Sequence, residues 1–234
     1  VRPARPAPRR HIPAIVRALR ASFGRSDAPV KRMLARGAFR ILVATVLSTR
    51  TRDPVTAAAA GRLLAAAPDA AALARLPAAR IERLIYPVGF YRTKARRLPA
   101  LALAVARGGV PDTLAGLLEL PGVGRKVANI VLAQAFGQAA IAVDTHVHRL
   151  SNRLGLVRTR APAATESRLM AVLPRRYWRE WNELLVAHGQ TVCRPTRPEC
   201  GACGISRWCR QVGVSRAARR SPRLPARRPA SARR

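Results

Sequence analysis

Between two apolar-periodic stretches, 113–120 and 124–136, the chain carries Pro121-Gly122-Val123-Gly124. Proline fixes its own φ and donates no backbone hydrogen bond, and two glycines one residue apart admit backbone angles closed to other residues. Two helices joined by a tight hairpin satisfy all three constraints at once. Such a turn exposes peptide N–H groups. A helix starting directly behind it adds the positive end of its dipole, and Arg125 adds a full charge. Gly122, Gly124 and Arg125 therefore form a candidate phosphate site. An ordinary helix–turn–helix connection with no ligand fits the same residues.

The rest of the chain also reads as short helices. Expected segments are Ile12 to Phe23, Phe39 to Leu47, Asp53 to Ala66 with an Asp53-Pro54 start, Pro77 to Ile85 and Thr93 to Ala106. Further ones are Thr113 to Leu120, Gly124 to Phe136, Thr145 to Leu154, Ala164 to Leu173 and Trp178 to His188. Pro99 is awkward inside its segment, either kinking that helix or delaying its start. No run alternates as a half-buried strand does, and only 4% of residues are aromatic, so the expected fold class is all-α. Residues 1–10 and 214–234 are rich in Arg, Pro and Ala without an apolar period, and read as disordered basic arms.

The formal net charge is +33, which calls for a polyanionic partner, with nucleic acid the first candidate; part of the arginine excess is also consistent with biased genome composition. No apolar run reaches membrane length, and VRPARPAPRR lacks the apolar core of a secretion signal. The expectation is a soluble, intracellular, monomeric protein without a membrane partner.

Of 44 Lys and Arg residues only Lys31, Lys94 and Lys126 are lysines. Where charge alone suffices this chain uses arginine, so a lysine marks a place where guanidinium does not serve. An amine can lose its proton and attack carbon, whereas guanidinium stays protonated. Lys126 falls in the first turn after the hairpin, where the helix dipole and Arg125 both disfavour its ammonium form. Val127, Ile130, Val131 and Ala135 continue an apolar stripe that anchors this helix. Asp144 follows the apolar run 139–143 and precedes a helix start at Thr145. Capping is the common job for such an aspartate, and a capping carboxylate held ionised can also stabilise positive charge or manage protons. His146 and His148 lie on different helix faces and do not chelate one metal easily.

The cysteines form a single set, Cys193-x6-Cys200-x2-Cys203-x5-Cys209. An intracellular chain does not hold such a set as disulfides, and four thiolates in one loop suit a metal or an iron–sulfur centre. Zinc prefers two close pairs, and here only Cys200 and Cys203 are close.

Over roughly residues 12–212 the sequence resembles the helix-hairpin-helix DNA glycosylases, and within them the endonuclease III family. The resemblance rests on LPGVGRKVANIVL, VDTHVHRLSNR and the cysteine spacing. It implies a two-domain helix-hairpin-helix DNA glycosylase fold with a [4Fe-4S] cluster loop. A six-helix domain with the hairpin would span 36–150, and a cluster domain 11–35 with 151–213. It further implies Lys126 as a Schiff-base nucleophile, Asp144 as the catalytic aspartate, and Cys193, Cys200, Cys203 and Cys209 as cluster ligands. The implied activity is that of a bifunctional DNA glycosylase and abasic-site lyase in base excision repair. Its implied partner is duplex DNA with a damaged base or abasic site, and its implied place is the cytoplasm, at the nucleoid if bacterial.

Arg194 and Arg197, between the first two cysteines, look like phosphate contacts. The family commonly has glutamine where Arg50 stands, inserted into the gap left by an extruded base; Arg50 fills that role or makes a plain phosphate contact. Phe90 stands in a second wedge loop where leucine is more usual, either stacking into an opened duplex or joining the core, and Lys94 reads as a phosphate ligand or a helix-end charge. Two rivals remain at this stage. A monofunctional adenine-mispair glycosylase shares the hairpin, aspartate and cysteines but typically lacks the lysine, and a non-catalytic helix-hairpin-helix protein uses hairpin and charge alone.

Overall fold

The computed structural model of the chain describes residues 8–24 and 37–215, which contain helices and connecting segments but no strand. The all-α expectation holds. The α-helices are α1 (Ile12–Phe23), α2 (Ala38–Ser48), α3 (Asp53–Ala66), α4 (Ala70–Arg75), α5 (Ala78–Ile85) and α6 (Tyr91–Gly108). They continue as α7 (Leu114–Glu119), α8 (Arg125–Ala135), α9 (Thr145–Leu154), α10 (Pro162–Val172) and α11 (Trp178–Thr191). Short 3-10 turns cover Pro8–His11, Arg175–Tyr177 and Ser206–Trp208. The first of these lies partly inside the expected N-terminal arm. Residues 1–7 and 216–234 of the two arms, and Lys31, lie outside the described residues.

Three departures from the sequence reading have physical reasons. Helix α4 is too short to show a period, and it is started by Asp69, whose side chain accepts from the Ala72 N–H at 2.7 Å. Asp53 is not the cap of α3. Arg52 holds that position, and Asp53 is the first helical residue, placing its carboxylate at the positive end of the dipole. Pro99 does not delay α6, which starts at Tyr91 and runs through it. A buried stripe of Lys94, Ala95, Leu98, Leu101, Ala102 and Val105 continues on both sides of the proline and packs on α4 and α5. That burial offsets the one helical hydrogen bond proline forfeits.

By contacts the chain divides into two compact units. Among the described residues one comprises 37–144 and 174–182. Its core is built from Leu42, Leu47, Leu63, Leu73, Ile81 and Leu98, all with no more than 1% of their surface exposed. Helix α2 is the hub: Ile41 to Leu47 are buried without a break, and it packs against α3, α6 and α8. The hairpin of α7 and α8 closes this unit, with Val123, Val127, Ala128 and Val131 turned inward. Trp181 is fully buried here, and Trp178 belongs to the same unit.

The other unit comprises 8–24, 145–173 and 183–215. Ile12, Ile15, Val16 and Leu19 form the buried face of α1, while Leu150, Leu154, Leu169, Leu185 and Trp208 contribute from the other segments. His148 and Thr165 join α9 to α10 through a 2.6 Å hydrogen bond, extended at 2.6 Å to Thr159. Helix α11 supplies its first residues to one unit and the remainder to the other.

Candidate active site and cysteine centre

The expected hairpin is present. The peptide after Leu120 turns back through the Val123 N–H to the Leu120 carbonyl at 3.1 Å, and Gly122 takes φ 80°, a left-handed angle that glycine alone adopts freely. Gly122 and Gly124 are exposed, Gly124 caps α8, and Arg125 is exposed at its first position.

Lys126 follows, half-buried. Its pKa is lowered, as expected, but the first cause differs from the one read off the sequence. Burial of the amine dominates, and the carboxylates of Asp144 and Asp53 oppose it by favouring the ammonium form. Lys126 and Asp144 are therefore brought within electrostatic reach of one another. Asp53 joins them, a residue whose sequence context announced only a helix start.

Arg50 and Phe90 come together as well. The Arg50 guanidinium lies 5.2 Å from the centre of the Phe90 ring, within cation–π range, and Phe90 is 59% exposed rather than part of the core. Both have left-handed backbones, φ 54° and 56°. For non-glycine residues each such angle costs about 1–3 kcal/mol and persists only where the surroundings over-determine it. Here they do. The Gly89 N–H donates to Thr51 Oγ1 at 3.1 Å, and Gly89 approaches the Arg50 carbonyl so closely that no Cβ could stand between them. Arg50, Phe90, Lys94, Arg97, Pro121 and Gly122 line one open pocket of about 400 Å³, with the hairpin as one wall.

Lys94 is not a surface phosphate ligand. Only 8% exposed, it turns its ammonium inward to donate to the carbonyls of Leu47 at 2.8 Å and Thr49 at 2.7 Å, at the C-terminal end of α2. It is a helix-end charge, as the alternative reading held. Burial, and then repulsion from Lys126, lower its pKa to about 8.

In the cysteine unit none of the four cysteines is in a disulfide, and all four, half-buried, line one cavity with His188 and Ile205. Burial pushes the Cys203 thiol up to about 12, with the other three sulfurs adding to the rise. A sulfur so placed is costly as a bare thiolate. Polar N–H groups already point at two of the four sulfurs: Arg153 Nη1 lies 3.4 Å from Cys193 Sγ, and the Gln211 N–H 3.3 Å from Cys209 Sγ. Among the described residues no three His, Cys, Asp or Glu side chains are placed to hold one metal ion. Four sulfurs lining one cavity are nevertheless a donor set of the kind that suits a metal or an iron–sulfur centre.

Arg194 and Arg197 are exposed on the loop between Cys193 and Cys200, and Arg194 lies 3.9 Å from Glu199. The loop is pinned from beneath by arginines that sequence reading did not single out. Arg153 donates to the carbonyls of Arg194 at 2.7 Å and Pro195 at 2.5 Å, and Arg149 to those of Gly189 at 3.2 Å and Cys193 at 3.0 Å. Their spacing of four on α9 puts both on one face, a signal submerged in so arginine-rich a chain.

The chain is similar in sequence and in fold to known proteins. Residues 43–175 match the HhH-GPD superfamily base excision DNA repair protein family. Endonuclease III of Thermotoga maritima is 44% identical over 174 residues, covering 73% of this chain and 82% of that protein. Endonuclease III of Synechocystis sp. is 40% identical over 180 residues, covering 75% and 82%. A trapped endonuclease III–DNA covalent intermediate, an estranged-adenine complex, superposes with a TM-score of 0.78 at 31% identity, covering 87% of this chain and 96% of that one.

The close approach of Gly89 to Arg50 yields a direct test. Gly89→Ala forces the two segments apart and should cost about 1–3 kcal/mol of stability, read as a lowered thermal midpoint by circular dichroism. An unchanged midpoint would show that the two segments are not held in contact.

Proposed function

The chain belongs to the endonuclease III family of helix-hairpin-helix base excision DNA repair proteins, and from that premise we propose that it removes oxidised pyrimidines from duplex DNA and then cuts the strand. The observation that carries this reading is the convergence of a half-buried lysine of lowered pKa with Asp144, directly behind an exposed glycine hairpin. A monofunctional glycosylase needs no such amine, and a passive DNA-binding protein gains nothing from burying one.

In the proposed reaction the N–H groups at Gly122 and Gly124, with Arg125, hold a backbone phosphate of the DNA. Arg50 and Phe90 occupy the space vacated when the damaged nucleotide leaves the stack. The neutral Lys126 amine attacks the sugar C1′, the C1′–N bond to the base breaks, and the base leaves with a proton. That proton comes from the amine, and the nitrogen keeps its other one as its lone pair opens the sugar ring to a protonated imine, O4′ leaving with a proton taken from solvent. Loss of the C2′ proton then expels the 3′ phosphate, cutting the strand by β-elimination, and water hydrolyses the imine to regenerate Lys126. Asp144 stabilises positive charge developing on the sugar and accepts and returns protons. Arg50 in place of the family's usual glutamine brings a guanidinium, whose paired N–H groups match the O6 and N7 edge of guanine, to the orphaned partner base.

The four cysteines would hold a [4Fe-4S] cluster, which when bound supplies the positive charge that offsets four thiolates and a rigid anchor for the loop bearing Arg194 and Arg197. Those two arginines would contact phosphates flanking the lesion. No helix among the described residues is long and apolar enough to cross a membrane. We take the protein to act as a monomer in the compartment that holds the chromosome, the bacterial cytoplasm if the source is bacterial.

Borohydride reduction on abasic duplex DNA should give a covalent protein–DNA adduct that is absent in Lys126→Gln; no adduct with intact wild-type protein would sink the lyase reading. Only the neutral amine attacks, so the trapping rate should climb with pH to a midpoint below lysine's ordinary 10.5. Asp144→Asn removes a carboxylate that raises the Lys126 pKa, so this midpoint should move to lower pH. Base release by the same variant should nevertheless fall, by about 100-fold or more, because stabilisation of the sugar cation is lost. Purified protein should absorb at the blue edge of the visible and contain iron and acid-labile sulfide in equal amounts; zinc without sulfide would remove the cluster.

A further inference from the structure

The geometry points to Lys94 as a positioning residue for lesion recognition, tying Arg50 and Phe90 into one rigid wall of the pocket beside the hairpin without itself touching DNA. The proposal rests on the reading of that pocket as a DNA site.

Lys94 is joined to Phe90 through its backbone and, through its side chain, to the residue before Arg50. Its backbone N–H donates to the Phe90 carbonyl at 3.0 Å, and its ammonium donates to the carbonyl of Thr49, the residue immediately before Arg50, at 2.7 Å. A third bond, to Leu47 at 2.8 Å, fixes the ammonium to the end of α2. One buried residue therefore links two segments 40 positions apart in the chain, and each of them presents an exposed side chain to the same pocket. Apart from Lys94, the two segments are cross-linked by the Gly89 N–H to Thr51 Oγ1, and the Arg50 guanidinium caps the Phe90 ring across the junction. Phe90 and Arg50 have no packed core around their side chains, both being exposed, so their orientation is set by the backbone that carries them.

The choice of lysine follows from this geometry. The side chain must reach two carbonyls at a helix end while 8% exposed, and a compact ammonium with three divergent N–H groups can do so, where a planar guanidinium is wider and directs its donors in one plane. Of the two lysines among the described residues, Lys126 is kept for its chemistry and Lys94 for its shape. Repulsion between them is a cost the site bears, relieved at Lys126 by Asp144 and Asp53.

A wall held in this way matters where the protein must keep a duplex open, and not where the nucleotide is already unstacked. The test compares borohydride trapping by Lys126 on an abasic site in duplex DNA with the same site in a single strand. Lys94→Met keeps the stem and removes the donors, and Lys94→Arg keeps donors of the wrong shape. Trapping on the duplex should fall about tenfold in Lys94→Met, the worth of a charged hydrogen bond, and by less in Lys94→Arg, while single-strand trapping stays within about twofold for both. Thr51→Val, which removes the second cross-link without burying a charge, should show the same duplex-only loss and serves if Lys94→Met does not fold by circular dichroism. Equal losses on the two substrates would reduce Lys94 to a structural helix cap and overturn the proposal, as would undiminished duplex trapping. Wild-type protein that traps on neither substrate would overturn the lyase reading instead. In that event, duplexes carrying a non-cleavable abasic analogue decide the matter: Lys94→Met should weaken their binding and leave undamaged duplex unaffected, and equal effects on both overturn the proposal.

Discussion

A helix that ends inside a protein must find partners for its last carbonyls, and the site is organised around how α2 meets that demand. Each group at this end is engaged. Ser48 Oγ donates to the Thr45 carbonyl, the Thr49 N–H and hydroxyl to Val46, Lys94 to Leu47, the Thr51 N–H to Ser48, and Lys94 again to Thr49. The chain is thus held where it leaves the core, and the next residue, Arg50, is delivered to the pocket at a backbone angle it would not choose alone. The same helix packs directly against α8, which carries Lys126. The loop that carries Arg50 and the helix that carries Lys126 consequently refer to one rigid element.

The hairpin and the positions of Lys126 and Asp144 at helix starts were legible from sequence because their local constraints are strong. Two glycines after a proline admit few backbones, and Lys126 and Asp144 are fixed relative to helix starts, so the helices starting at Arg125 and Thr145 fell where periodicity put them. Less legible were features decided by distant segments. Lys94 could be a surface ligand or a helix-end charge by its own neighbourhood, and only the approach of α6 to the end of α2 decides. The lowered pKa of Lys126 was anticipated from dipole and arginine, yet burial proved to be the larger cause, and burial is a property of the whole packing. Asp53 and Arg153 escaped notice for the same reason: one looks like any helix start, the other like any arginine in a chain full of them.

The cysteine unit follows a different logic. Its sulfurs are announced by spacing alone, but the loop that carries them has little apolar surface of its own: Arg194, Pro195, Thr196 and Arg197 are all exposed. It is shaped by arginines of α9 that donate to four backbone carbonyls between Gly189 and Pro195. In this use arginine is a scaffold builder, its planar fork satisfying two acceptors at once, and not a ligand for phosphate. A high count of arginines therefore overstates the charge available to a polyanion.

The left-handed backbones at positions 50 and 90 separate shape from identity. Ties made by other residues hold the peptide in place, while the side chains of Arg50 and Phe90 project free of the core, so their replacement leaves the packing untouched. Over evolutionary time these two positions can behave as exchangeable fittings on a fixed mount. Asparagine or glycine, which accept positive φ readily, could enter at little cost, and β-branched residues would be resisted. Relatives sharing this scaffold can thus change the side chains presented to this pocket through single codon changes, with no matching adjustment elsewhere in the chain.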